Sequence, residues 1–279
     1  MKEYVQGLFE GERALFTSKD LKIYDSVFAS GESPLKESEN IELHGCIFKW
    51  KYPLWYCRDV KVRDTTLLDT ARSGIWYTEN ISMTDCTIEA PKTFRRSSGI
   101  KLFSVGMPNA SETLWNCKDI ELERVSARGD YFGMGSENIV ARDLSINGNY
   151  AFDGGRNIEI TGARLISKDA FWNCENVTVR DSVIIGEYLG WNSKNVSFIN
   201  CRIESNQGLC YMDGVRLDGC KLINTDLAFE YSSVDAEVVS KIDSVKNPRC
   251  GRIKAKEIGE LILDGELVDV NKTEIITER

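Results

Sequence analysis

The segment DAFWNCENVTVRDSVIIGEYLGWNSKNV (169–196) carries one reading frame twice: FWNCENV returns 19 residues later as GWNSKNV, with Asn176 and Asn195 in the same place. Working outward from these two, an Asn, Asp or Gly followed by Ile, Val or Leu recurs at Asp20, Asn40, Asp59, Asn80, Gly99, Asp119, Asn138, Asn157 and Gly214, at intervals of 19 to 21 residues. A fixed short period over most of a chain signals stacked copies of one unit, each paired with its neighbours.

With this marker residue numbered zero, the columns become legible. Position +1 holds Leu21, Ile41, Val60, Ile81, Ile100 and Ile120, and +3 holds Ile23, Leu43, Val62, Met83, Leu102 and Leu122; later turns continue both. The alternation has period two, so it predicts a strand with one buried face. Turn formers follow at +5, among them Asp25, Gly45, Asp64, Asp85 and Asn200. A second short strand is expected around +8 (Phe28, Phe48, Leu67, Ile88) and a third around −5 (Leu54, Ile75, Phe94, Leu114, Phe152, Phe171).

Three short strands in about 19 residues describe an all-β chain wound as a parallel β-helix of about eleven turns. A leucine-rich repeat would need an LxxLxL frame, which is absent. The marker has a physical reason: a tight corner suits left-handed backbone geometry, which Asn, Asp and Gly tolerate best, and stacked Asn side chains can bond from turn to turn. The organisation expected is one elongated body, with residues 1–14 as N-terminal cap, 15–232 as helix and 233–279 as irregular last turns and C-terminal cap.

Composition narrows the partners. A net charge of −8 and pI near 5 disfavour a nucleic-acid backbone or an anionic membrane. No apolar run approaches the roughly 18 residues of a membrane span, and MKEYVQGLFEGERALF lacks a signal-peptide core, so a cytoplasmic location is expected. Of nine cysteines, Cys46, Cys86, Cys201 and Cys220 fall at +6 and Cys57, Cys117 and Cys174 at −2. These are inward columns suited to a small apolar residue, and without a CxxC pair neither a structural disulfide nor a metal is expected. Nothing calls for a cofactor.

The −4 column, in outward phase, should be polar, yet it reads Phe16, Lys36, Trp55, Trp76, Arg95, Trp115, Met134, Asp153, Trp172, Trp191, Cys210 and Phe229. Beside it at −3 stand Tyr56, Tyr77, Arg96, Asn116, Asn173, Asn192, Tyr211 and Glu230. An aromatic strip edged with amides and hydroxyls suits sugars, whose rings offer apolar faces to Trp and hydroxyls to polar neighbours. Trp55, Tyr56, Trp76, Tyr77, Trp115, Asn116, Trp172, Asn173, Trp191, Asn192 and Tyr211 are therefore the candidate ligand residues. The competing reading is structural: a Trp column packs on itself, or is covered by a second copy. The candidates for chemistry are Arg95 and Arg96 with Asp153, Asp169 and Glu187, but these acids share no column. His44, at +4, reads as a strand residue on another face. Connections of mostly five or six residues raise no walls around a cleft, and no GxSxG, HExxH or P-loop pattern occurs.

The run 169–196, with LAFEYSSVDA (227–236), IDSVKNP (242–248) and FEGERALF near the start, resembles a bacterial family known as domain of unknown function 3737. The resemblance covers nearly the whole chain. It implies a right-handed β-helix similar to the pectin-lyase-like superfamily, and it supplies no activity or catalytic residues. Three functional readings follow: carbohydrate binding or processing along the Trp face, a scaffold or homo-oligomer using the Trp stripe as interface, and a polysaccharide hydrolase or lyase.

Overall fold

The computed structural model describes residues 1–278, in two compact units, Met1–Val140 and the part from Ala141 onward. Both are parallel β-solenoid, and the chain makes about 15 turns of about 19 residues with no α-helix among the described residues. None of its helical segments is long and apolar enough to cross a membrane.

From Lys19 to Ser205 each coil has a six-residue strand, a sharp corner and a strand of two to four residues. In the first unit Lys19–Tyr24, Glu39–His44, Arg58–Arg63, Glu79–Thr84 and Ser98–Phe103 pair in parallel, with Leu21, Ile41, Val60, Ile81 and Ile100 in register. In the second, Arg156–Thr161, Glu175–Arg180, Lys194–Ile199 and Asp213–Ile223 do the same through Ile158, Val177, Val196 and Val215. Each six-residue strand opens with two outward residues in succession, as in Arg58–Arg63. The marker is the second of these, and it breaks the alternation by turning the chain.

All eleven markers have positive φ, from +51° at Asn195 to +78° at Gly214. An ordinary side chain pays roughly 1–2 kcal/mol in that region, which short polar side chains and glycine largely avoid. The side chains then bond along the stack: Asn40 Nδ2 donates to Asp20 Oδ1 at 2.6 Å, Asn80 to Asp59 at 3.0 Å, Asn176 to Asn157 at 3.1 Å and Asn195 to Asn176 at 2.8 Å. A second left-handed corner lies at +5, for example Asp64 at +49° and Asp181 at +50°.

Two departures from the sequence reading have local causes. The third side is a strand only at Ile75–Trp76 and Phe94–Arg95, which pair with each other. Elsewhere it is a chain of turns, because alternate residues are left-handed: Tyr150, Phe152 and Gly154 have φ of +56°, +64° and +69°. The turns number about 15 rather than eleven, since Lys2–Val5 pairs with Lys19–Tyr24, and Ser233–Lys246, Cys250–Ile262 and Thr273–Thr277 extend the ladder. These late coils hide their frame because the corner residue Gly219 has no counterpart in the next coil: Asp218 pairs with Glu237 and Cys220 with Val238, so one strand of 14 residues runs through.

Aliphatic columns and stacked rings fill the core, with Phe28 and Phe48 4.4 Å apart and Phe152 and Phe171 5.5 Å apart. The corner columns at −2 and +6 hold Ser, Thr and Cys in one role. Ser193 accepts from the Cys174 backbone N–H and donates to the Phe171 carbonyl, while the Cys174 thiol reaches the Phe152 carbonyl at 3.0 Å. The cysteines thus stand in for serine as weak donors as well as filling space.

Candidate functional site

The tryptophans form ladders whose ring faces meet each other. In the first unit Trp55 and Trp76 stack 5.1 Å apart at 8°, and Trp115 stacks on Tyr131 at 6.3 Å. Arg95 belongs to this stack and does not interrupt it. Its guanidinium lies 4.7 Å from both the Trp76 and Trp115 centroids, and its Nη2 reaches Glu112 at 3.2 Å. In the second unit Trp172 and Trp191 stack 5.7 Å apart at 6°, and Tyr211 meets Trp191 edge-on.

The indole N–H groups are also committed. Those of Trp55, Trp76, Trp172 and Trp191 donate to the carbonyls of Ser73, Lys92, Tyr188 and Gln207. All five tryptophans of the stripe are half-buried, so what reaches solvent is ring edge. A sugar ring stacks on an open aromatic face, and these faces are occupied. The −3 column is the more accessible one: Tyr56 is 48% and Tyr211 41% exposed, Tyr56 and Tyr77 stack at 4.7 Å, and Arg96, Asn116, Asn173 and Asn192 are exposed. Cys210 and Phe229, placed in the outward stripe by residue counting, are fully buried. Phe229 shares the left-handed conformation of Leu209 twenty residues earlier, so one extra residue shifts it into the inward column.

Among the candidate catalytic residues, Arg95 and Arg96 fall in the first unit, and Asp153, Asp169 and Glu187 in the second. Asp169 is buried; burial pushes its carboxyl up, Lys168 opposes this, and Glu187 and Asp153 add to it. Asp153 accepts the Asn173 amide at 2.8 Å, and Glu187 lies 3.8 Å from Lys168. No group of acids, cysteines and histidine among the described residues is arranged to hold a metal ion. His44 is half-buried and stacks on Tyr24 at 5.2 Å.

A concave site lies elsewhere, along the marker corner of the first unit. It is a groove of about 850 Å³ running over five coils, floored by Asp20, Asn40, Asp59, Asn80 and Gly99. Lys19 and Glu39 line one side, and Lys61, Ser82 and Lys101 the other. Most of the wall is already ion-paired: Lys19 to Glu39 at 2.9 Å, Lys101 to Glu121 at 2.9 Å, and Lys61 at 3.9 Å to Glu42, which also holds Lys22. Asp20 and Asp59 have the amides of Asn40 and Asn80 as hydrogen-bond partners and no cation in ion-pair range among the described residues. The signal for this groove was present in the marker column and its outward neighbours at −1 and +2. A repeat read for its buried positions leaves it unnoticed.

Two solved structures show loose likeness to the chain. The A-module of the Azotobacter vinelandii mannuronan C-5 epimerase AlgE4 is 8% identical over 98% of this chain and 87% of that one, with a TM-score of 0.33. QnrB1, a plasmid-mediated fluoroquinolone resistance protein, is 12% identical over 78% and 91%, with a TM-score of 0.23. Neither superposition is close enough to bear on activity. No curated protein matches the sequence. The profile of one family, described as protein of unknown function (DUF3737), matches residues 2–276. With that match spanning the two units and every repeat described above, the chain belongs to the DUF3737 family.

Proposed function

We propose that this protein binds carbohydrate without turning it over, and that the sugar chain lies in the marker-corner groove of the first unit. The observation that carries this reading is the groove itself, a concavity of about 850 Å³ that presents amide, carboxylate, hydroxyl and ammonium groups beside Val60 and Ile81. Hydroxyls both donate and accept, so a polyhydroxylated chain satisfies such a lining. The absence of water-excluding walls favours binding over chemistry. In the stripe the Trp rings engage one another, so a ligand there would meet Tyr side chains, Asn amides, the Arg96 guanidinium and Trp ring edges.

Calorimetric titration against a panel of oligosaccharides tests this. Binding is expected to weaken in Lys61→Ala and Ser82→Ala and to be unchanged in Tyr56→Ala and Tyr211→Ala. The reverse pattern would move the ligand to the stripe, and a panel with no binder at all would defeat the reading. Self-association through the stripe is favoured by the exposure of Tyr56 and Tyr211. Sedimentation of the full chain separates it from the first reading, because an interface there predicts a dimer that Tyr56→Ala or Tyr211→Ala dissociates.

A further inference from the structure

We infer that the groove selects an uncharged, extended linear glycan about four sugars long, lying along the stack so that each sugar meets one coil. This rests on the carbohydrate reading proposed above and adds the ligand class to it.

Five marker residues line the groove, and adjacent coils are about 4.8 Å apart, so the floor runs for about 19 Å. One coil spacing is close to the length of one sugar in an extended chain, so about four sugars fill it. The floor ends at Gly99, which has no side chain, and before Asp20 the first coil has Met1 at the marker position.

Along the floor, carboxylates at Asp20 and Asp59 alternate with amides at Asn40 and Asn80, and each amide spends one N–H on the carboxylate before it. The carboxylates therefore recur every second coil, about 10 Å apart. In an extended β-1,4-linked chain successive sugars are turned over, so hydroxyls on one face also recur every second sugar. One set can donate to Asp20 and Asp59 while the intervening sugars meet Asn40 and Asn80.

A polyanion would bring its carboxylates onto Asp20 and Asp59, which have no cation of their own among the described residues. A polycation would meet Lys19, Lys61 and Lys101 on the walls, of which Lys61 is the least firmly held, at 3.9 Å from its acid. Acceptors and donors interleaved on both floor and walls suit groups that do both, namely neutral hydroxyls.

The test is isothermal titration of the full chain with cello-oligosaccharides of two to six sugars, with oligogalacturonates and glucosamine oligomers of equal length as charged comparators. The expected result is affinity that rises from two to four sugars and then levels off, varies less than twofold between 50 and 300 mM salt, and exceeds that for either charged series. Asp59→Asn is expected to weaken the four-sugar ligand about three- to tenfold, the range of one ordinary hydrogen bond, because the amide oxygen still accepts but without the carboxylate's charge. The variant should fold, since Asn157, Asn176 and Asn195 build the same corner in the second unit. Tighter binding of either charged series, strong salt dependence, or affinity still rising at six sugars would overturn the inference and leave the carbohydrate reading standing. Failure of every series to bind would overturn both.

Discussion

The guanidinium carbon of Arg95 lies 4.7 Å from the ring centroid of Trp76, and the opposite face of the same group lies an equal distance from Trp115. A planar cation thus occupies the rung that an indole fills in neighbouring coils. Each contact contributes about 0.5–2 kcal/mol when partly desolvated, so Arg95→Ala is expected to destabilise the first unit by about 1–3 kcal/mol. Arg95→Trp should recover most of that, because it extends the Trp55–Trp76 stack and removes the buried, unpartnered Arg95 Nε. Urea denaturation followed by Trp fluorescence measures both; a cost below about 0.5 kcal/mol for the alanine variant would mean that the ladder adds little to stability.

Asn176 donates to Asn157, accepts from Asn195 and has φ of +58°. Alanine there loses the ladder bonds and adds the left-handed penalty, for about 2–3 kcal/mol in total, whereas glycine restores the backbone freedom and should cost about 1 kcal/mol. Denaturation midpoints should therefore fall in the order wild type, Asn176→Gly, Asn176→Ala. An alanine variant as stable as the glycine variant would show that conformation is not what the marker supplies.

Eight of the nine cysteines are buried and Cys250 is half-exposed. Burial pushes the Cys57, Cys117, Cys174 and Cys210 thiols up to about 12, and only the thiolate reacts. A thiol reagent at pH 8 should modify one site in the folded protein, Cys250, and all nine in urea. Mass spectrometry of the native sample settles it, and two or more rapid modifications would contradict the packing of the corner columns.

Asp169 is buried, and its carboxyl is held above the usual value of 3.8, first by burial. The folded state therefore binds this proton more tightly than the unfolded chain does. Protonation adds stability that is complete below the unfolded value and disappears as pH rises through the raised folded value. Asp169→Asn, which cannot ionise, should be more stable than wild type at pH 7.5, with the difference shrinking as pH falls toward 4. Paired denaturation curves at the two pH values check this, and a difference that grows at low pH would refute it.

Much of the fold was legible because its determinants are local and repeated. A period-two pattern marks burial at +1 and +3, and the preference of Asn, Asp and Gly for left-handed backbone marks the corners, so one coil read correctly describes its neighbours. Legibility failed where a corner residue was lost, between Glu237 and Val238, and where one added residue moved Phe229 inward. It failed on the third side too, since the −5 position buries a large apolar side chain such as Leu54 or Phe171 whether the backbone there is a strand or a chain of turns.

The sequence by itself determined the period, the inward and outward columns, the left-handed corners and the position of the cysteines in the core, because each depends on a residue's own conformational preference and on its place in a short repeat. Only the tertiary structure decided that the Trp faces are spent on one another, that Arg95 is a rung of their ladder, and that the concave surface lies at the marker corner. Those outcomes depend on the distance and orientation of side chains 19 to 21 residues apart, brought together across coils, and no property of a single repeat contains them.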